Sequence, residues 1–167
     1  FLTGGEKRGC FFSIGKPTEI NDRTVIAICE GYATGASIHE ATGLAVIVAF
    51  DAGNLQPVAE TVRRLMPEAV IVICADNDQW TIKPVKNPGG VKAKEAAAAV
   101  GAVVARPEFT ELGGNPTDFN DLAVRQGSKF VEAQIMAAVG TKPAPALVER
   151  EPHSFEPSGG PADLGIT

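Results

Sequence analysis

The chain has 167 residues and a formal net charge of −5 at pH 7, with 44% hydrophobic and 21% charged residues. This length and composition predict one soluble domain with a substantial core. Its longest apolar run, Leu44 to Phe50, is far shorter than the roughly 20 residues of a membrane-spanning helix, so no membrane partner is expected. The acidic balance argues against a simple nucleic-acid-binding surface, because such surfaces are usually basic.

The first residues and the cysteines of the chain bear on its origin and on its redox environment. The chain begins at Phe1, without an initiator methionine or a signal-peptide pattern, which predicts a fragment cut from a longer polypeptide. There are three cysteines and no CxxC pair, and Cys29 and Cys74 lie within apolar runs, where a free cysteine is usually a small buried hydrophobe. Neither a disulfide framework nor a zinc knuckle is indicated, and a reducing, cytoplasmic setting is expected.

Residues 1–22 are predicted to form a β-hairpin that remains from a preceding region. Four apolar runs follow, at 25–29, 44–50, 70–74 and 102–105. They are rich in Val and Ile and do not alternate with polar residues, which is typical of parallel strands buried on both faces. Helical patterns lie between these runs, at 33–42, 55–65 and 91–100. The alternation predicts an α/β domain with a parallel sheet.

Two more helices are predicted after the last strand, one capped by Asp118 and one that begins at Ser128 and ends before Gly140. The domain is therefore predicted at 23–140. Beyond it, residues 141–167 are rich in Pro and Gly and predict an extended linker or disordered tail. Earlier in the chain, Asn54 is predicted to cap the helix after the second strand, and Asp51 to lie in the turn before it.

Acidic side chains follow two of the predicted strands. Glu30 comes directly after the first strand, and Asp76 and Asp78 follow the third. Side chains two residues apart in extended chain project to the same side, so both aspartates can point into one space. An isolated DxD more often caps a helix or lies in solvent. If the two strands are neighbours, however, three carboxylates meet and repel one another, and a hard divalent cation such as Mg²⁺ would relieve that repulsion.

These residues resemble the Toprim domain of primases, topoisomerases and related nucleases, in which a Glu follows one strand and a DxD follows a later one. The resemblance rests on Glu30 with Gly31 and on Asp76 with Asp78, and it covers about 25–126. The stretches ICEGYATGASIHEATG, ICADND and NPTDFNDL are most similar to primase-type modules of plasmid and phage replication proteins. The resemblance implies a compact, Rossmann-like Toprim fold of about four parallel strands flanked by helices.

The resemblance also implies an activity. It implies that Glu30, Asp76 and Asp78 bind Mg²⁺ or Mn²⁺ and catalyse nucleotidyl transfer during primer synthesis in DNA replication. The implied partners are a single-stranded DNA template, nucleoside triphosphates, and a replicative helicase or fused helicase domain. Glu30 is either a further metal ligand or the general base, and the sequence does not separate these roles. Asp118 and Asp121 resemble an acidic element of primase-type modules, with a supporting role at the metal or a helix-capping role.

A lysine-rich stretch follows the DxD. Residues 79–94 contain no acidic residue and four lysines, Lys83, Lys86, Lys92 and Lys94. They form either a solvated face or a set of phosphate and DNA contacts, since Gly89 and Gly90 open a helix whose free N–H groups favour anions. In the same loop, Trp80 either stacks on a base or packs locally.

Two other functions stay open from the sequence. A Toprim-type nuclease would use the same acids to cleave phosphodiester bonds. A non-catalytic module would only dock metal or DNA within a replication protein. As a primase, the isolated fragment is expected to be weak or inactive, because its acidic surface and missing neighbouring domains leave template binding unsupplied.

Overall fold

The computed structural model describes residues 7–81 and 87–140, which form six β-strands and five α-helices. The strands are β1 (Phe12–Ile14), β2 (Thr18–Ile20), β3 (Arg23–Cys29), β4 (Ala45–Val48), β5 (Val70–Cys74) and β6 (Val103–Ala105). The helices are α1 (Tyr32–Thr42), α2 (Leu55–Leu65), α3 (Pro88–Val100), α4 (Phe119–Gln126) and α5 (Ser128–Gly140). A short 3-10 helix, Ala52–Asn54, precedes α2.

The strands form one mostly parallel sheet in the order β1-β4-β3-β5-β6, with β2 attached to β3. Strand β3 runs parallel to both β4 and β5, and β5 runs parallel to β6. Every residue of β4 and β5 is buried, as expected for strands covered on both faces. The predicted α/β fold, with about four parallel strands flanked by helices, is therefore confirmed.

Successive residues of the central strands point into two different cores. Val25, Ala27 and Cys29 of β3 face one cluster, which contains residues of α1, α4 and α5. Ile26 and Ile28 face the opposite cluster, which contains residues of α2 and α3. Burying a Val or Ile side chain stabilises a fold by about 1.5–3 kcal/mol, so these two cores hold the sheet and its edges rigid.

The N-terminal strands pair differently from the predicted hairpin. Strands β1 and β2 do form, but β1 pairs antiparallel with β4 and β2 pairs antiparallel with β3, and they do not pair with each other. The hairpin that forms is β2–β3, and its turn is Asn21-Asp22, with φ of 50° and 59° at the two residues. Such mirror-image two-residue turns match the twist of paired strands, and Asn and Asp tolerate them.

Asn54 fastens the N-terminal segment to the domain instead of capping α2 through its side chain. Its buried amide donates to the carbonyls of Cys10 and Ala49, both at 2.9 Å, and its oxygen accepts from Gly9 N–H at 2.8 Å. The cap of the preceding 3-10 helix is Asp51, which accepts from the Asn54 N–H. Asn54 does stand at the predicted N-cap position of α2, but its side chain makes no cap bond there, because its bonds to Gly9, Cys10 and Ala49 already satisfy the amide.

The five helices lie where the sequence predicted them, within a few residues at each end.

Two other predictions concern parts of the chain outside the described residues. These are the linker or tail over 141–167 and the phosphate-contact role of Lys83 and Lys86.

Candidate metal centre at the carboxyl edge of the sheet

The fold brings the three predicted acids to one edge of the sheet. Strands β3 and β5 are adjacent and parallel, with Ile28 paired to Ile73. Glu30 lies two residues beyond Ile28, and Asp76 lies three residues beyond Ile73. Ligands of open parallel sheets bind at this carboxyl edge, where the loops after the strands converge. The condition under which the acids approach one another, that β3 and β5 are neighbours, is therefore met.

Glu30 and Asp76 are partly buried, and each holds one carboxylate oxygen without a partner. Glu30 Oε1 and Asp76 Oδ1 are buried and have no hydrogen-bond partner among the described residues. Buried carboxylate oxygens are normally hydrogen-bonded, because removing them from water costs free energy. Carboxylate oxygens are the ligands that hard cations prefer, so this pair of side chains fits a divalent metal ion.

The acids at this edge raise one another's pKa. Burial raises the pKa of Glu30 from 4.5 to about 7, helped by repulsion from Asp78 and Asp51. Burial likewise raises the pKa of Asp76 from 3.8 to about 7, and the charges of Glu30 and Asp118 add to the shift. The two carboxyls therefore hold protons more readily than isolated ones, and a bound cation would replace those protons.

Asp78 is tied to the beginning of α3. Its Oδ2 accepts a hydrogen bond from the Gly89 N–H at 3.1 Å, in the first turn of the helix. A Cβ atom on Gly89 would lie 2.9 Å from Asp78 Oδ2 and 3.3 Å from Asp76 Cβ, so any larger residue would force the aspartates or the helix to shift. Helix α3 thus sets the position of the DxD by backbone contact.

Asn77, the residue between the two aspartates, anchors the loop through three further hydrogen bonds. It is only 6% exposed, and its amide donates to the Pro107 carbonyl at 3.2 Å and accepts from Asn87 at 3.0 Å. Its backbone N–H donates to the Thr117 carbonyl at 2.6 Å. Sequence reasoning placed Gly89 at the start of a helix but missed its packing against the aspartates, and it missed the bond between Asn77 and Asn87, which spans ten residues.

Asp118 and Asp121 cap α4 and lie close enough to influence Asp76. Asp118 Oδ1 accepts from the Asp121 N–H at 2.8 Å, and Asp121 Oδ2 accepts from the Thr117 N–H at 2.8 Å. The second oxygen of Asp118 accepts from the Thr34 hydroxyl at 2.8 Å, which joins α4 to α1. The capping role is confirmed, and both acids also raise the pKa of Asp76.

The two described lysines of the lysine-rich stretch have different surroundings. Lys92 is exposed and forms an ion pair with Glu95 at 2.7 Å. Lys94 lines a cavity of about 730 Å³ together with Arg106 and Ala75, the residue directly before Asp76. Glu30, Asp76 and Asp78 are not among the residues that line this cavity.

Asp51 contributes to the electrostatics of this edge without belonging to the predicted site. It forms an ion pair with Lys7 at 2.6 Å and raises the pKa of Glu30. Its turn position was predicted, and its electrostatic influence follows from the neighbouring positions of β3 and β4 in the sheet.

No group of three or more Asp, Glu, His or Cys side chains within residues 7–81 and 87–140 is arranged to hold a metal ion, so Glu30, Asp76 and Asp78 do not form a three-ligand site by themselves. Two unpartnered oxygens with a third acid nearby still suit Mg²⁺, which keeps several waters and takes further ligands from substrate phosphates. The residues present therefore fit a cation that substrate helps to hold.

The family comparison agrees with this geometry. A family model described as the Toprim domain matches residues 25–129, which is more than half of the chain. The chain belongs to the Toprim family. Toprim domains generally bind divalent metal ions, and the match spans Glu30, Asp76 and Asp78.

The curated relatives of this Toprim domain include two proteins named DNA primase TraC from Escherichia coli. One is 43% identical and the other 37% identical, each over 110 residues and 65% of this chain. The matched region is only 10% and 8% of those two proteins, so the chain spans about a tenth of their length. Both similarities support a primase-type Toprim module. No solved structure matches the chain closely.

The described part of the Toprim domain contains no helix that is long and apolar enough to cross a membrane. This agrees with the short apolar runs of the sequence.

The raised pKa of Asp76 predicts that the metal-free Toprim domain loses stability as the pH rises. The folded carboxyl has a pKa of about 7 against 3.8 for an ordinary one, so the folded state binds its proton more tightly than the unfolded state does. The contribution of this carboxyl to stability is then greatest below about pH 4 and falls until the pH passes about 7. Asp76→Asn removes this cost, and we expect it to stabilise the metal-free domain by about 1–2 kcal/mol at pH 8 and by less at pH 5.

Urea denaturation in the presence of EDTA at both pH values measures this effect. Adding Mn²⁺ at pH 8 is the matched control, since it should stabilise the unmodified domain more than the variant. An Asp76→Asn variant that is equally destabilised at pH 5 and pH 8 would contradict the prediction.

Proposed function

We propose that this Toprim domain is the catalytic module of a DNA primase and performs metal-dependent nucleotidyl transfer during primer synthesis. The observation that carries the proposal is the pair of unpartnered carboxylate oxygens, Glu30 Oε1 and Asp76 Oδ1, at the carboxyl edge of a parallel sheet. The similarity to proteins named DNA primase supports the choice of reaction.

In this proposal Asp76 and Asp78 hold Mg²⁺ or Mn²⁺. The ion, when bound, neutralises triphosphate charge and lowers the pKa of the attacking 3′-hydroxyl. Asp78 is positioned by the Gly89 N–H, and Asp76 by the buried strand that precedes it. Because both side chains are held in place before the reaction, the site can stabilise the charge of the transition state without rearranging.

Glu30 is either a third ligand or the general base. Its raised pKa of about 7 suits a base that accepts the 3′-hydroxyl proton near neutral pH. Asp118 has a supporting role in this proposal. Its negative charge raises the pKa of Asp76, and the Thr34 hydroxyl holds the Asp118 carboxylate in place.

Lys94 is the described lysine that we propose for phosphate or DNA contact. It lines the cavity beside Ala75, together with Arg106, whereas Lys92 is engaged by Glu95. In this proposal the two cationic side chains of the cavity would contact phosphates of the triphosphate or of the template backbone.

The parent protein supplies the rest of the machinery in this proposal. The chain spans about a tenth of its curated relatives, which leaves room for template-binding and helicase domains. We propose that its substrates are single-stranded DNA and nucleoside triphosphates, that a replicative helicase or a fused helicase domain is its partner, and that it acts in the cytoplasm.

The test is an incubation of the parent protein with end-labelled single-stranded DNA, all four nucleoside triphosphates, and Mg²⁺ or Mn²⁺. We expect new primers on the template and none after EDTA is added, while the isolated 167-residue chain is weak or inactive. Shortened template with no primers would instead identify a nuclease. Bound but unchanged DNA would identify a docking module. Either of these outcomes would refute the primase proposal.

A further inference from the structure

Two exposed aromatic rings touch each other beside the candidate metal centre. The side chains of Phe12 and Tyr32, here called the aromatic pair, are 47% and 57% exposed, and their ring centroids lie 5.7 Å apart with a tilt of 56°. Large aromatic side chains usually contribute their area to a core or an interface. Two such rings that contact each other and remain exposed to solvent therefore indicate a surface that is available for binding.

The register of the sheet places this pair close to the acids. Phe12 on β1 pairs with Val48 on β4, and Val48 pairs with Cys29 on β3, so the three residues form one row across the strands. Adjacent strands are about 4.8 Å apart, which puts the Phe12 backbone about 10 Å from β3. Glu30 is the residue after Cys29, and Tyr32 begins α1 two residues later.

The backbone around the pair is fixed. The Phe50 N–H, just after β4, donates to the Glu30 carbonyl at 2.8 Å, which joins the loops that follow β3 and β4. Phe50 has φ of 69°, an uncommon conformation for a bulky residue that persists only where the surroundings hold it. On the other side, Gly31 caps α1, and the Gly35 N–H donates to the Gly31 carbonyl at 2.9 Å. The rings therefore stand on a rigid base.

We propose that the aromatic pair is a stacking platform for the bases of single-stranded DNA whose backbone passes the candidate metal centre. The proposal rests on the proposed primase function and names a contact of that function which lies outside the acids. Stacking accepts any base, so it supplies affinity that an acidic chain of net charge −5 does not supply through contacts with the phosphates. An added protein strand is the less suitable occupant, because β1 is only three residues long.

The test compares two labelled oligonucleotides by fluorescence anisotropy at low salt with the 167-residue chain. One is oligothymidylate of about 12 nucleotides, and the other has the same backbone with abasic sites in place of the bases. We expect the thymidylate to bind about tenfold more tightly, and Phe12→Ala or Tyr32→Ala to reduce its affinity to that of the abasic strand. Tyr32→Phe keeps the ring and should keep the preference.

Phe130→Ala is the matched control, since Phe130 is 49% exposed but lies on α5, away from the pair. It should leave the base preference unchanged. Asp76→Ala with Asp78→Ala should also leave the ratio of the two affinities unchanged, so that loss of metal chemistry and loss of stacking are distinguished. If both ring deletions stay folded by circular dichroism and keep the tenfold ratio, the proposal is overturned.

A second measurement maps the contact directly. Oligonucleotides carrying 5-iodouracil are irradiated with the chain, and the crosslinked peptides are sequenced. Tyr32 is the only tyrosine in the chain, which makes its peptide easy to assign. Crosslinks at Tyr32 or Phe12 support the platform. Crosslinks confined to other peptides, or none at either ring, overturn it.

Discussion

Replacing both Asp76 and Asp78 with Ala is expected to reduce primer synthesis by the parent protein roughly 10³-fold or more, because the change removes the two proposed metal ligands. Direct Mn²⁺ binding, followed by electron paramagnetic resonance, should be lost together with activity. The fold should remain, since the double variant removes repulsion at an acidic edge and leaves both hydrophobic cores intact.

Glu40→Ala is the control for this double variant. Glu40 is an exposed acid on α1, more than two turns beyond the acidic edge, and its loss should change neither metal binding nor activity. A correctly folded double variant that still made primers at the normal rate would refute the assignment of Asp76 and Asp78 as metal ligands.

Gly89→Ala is expected to reduce activity about 100-fold without removing any functional group. The new methyl group would lie 2.9 Å from Asp78 Oδ2 and 3.3 Å from both Asp76 Cβ and the Asp76 carbonyl oxygen, so either the helix or the DxD must shift. Overpacking of this kind costs about 1–3 kcal/mol of stability, and a displacement of about 1 Å at a catalytic site can cost 100-fold in rate.

The measurements are primer synthesis and Mn²⁺ affinity, with urea denaturation as the check on folding. Gly140→Ala on α5 is the matched control, because among residues 7–81 and 87–140 a Cβ there meets no atom within 4 Å. Equal activities of Gly89→Ala and Gly140→Ala would show that contact with α3 does not position the aspartates.

Much of the fold was predictable because its signals are local. Continuous apolar runs such as Val70–Cys74 have no polar face to turn towards solvent, so they require cover on both sides and therefore a parallel sheet with helices on each face. Glycines and prolines at helix ends gave most boundaries within a few residues. The prediction paired the N-terminal strands wrongly. A three-residue strand has almost no hydrophobic pattern, so its partner depends on which sheet edge is open in the folded domain.

The sequence by itself determined which residues could carry charge chemistry and that Glu30, Asp76 and Asp78 follow buried strands. Only the tertiary structure decided that β3 lies beside β5, which brings those acids together. It also decided that Thr34 holds Asp118 across 84 residues of chain and that Gly89 packs against the aspartates. The physical reason is that strand order and helix contacts depend on the packing of distant segments, whereas an apolar run and the acids that follow it are properties of a few consecutive residues.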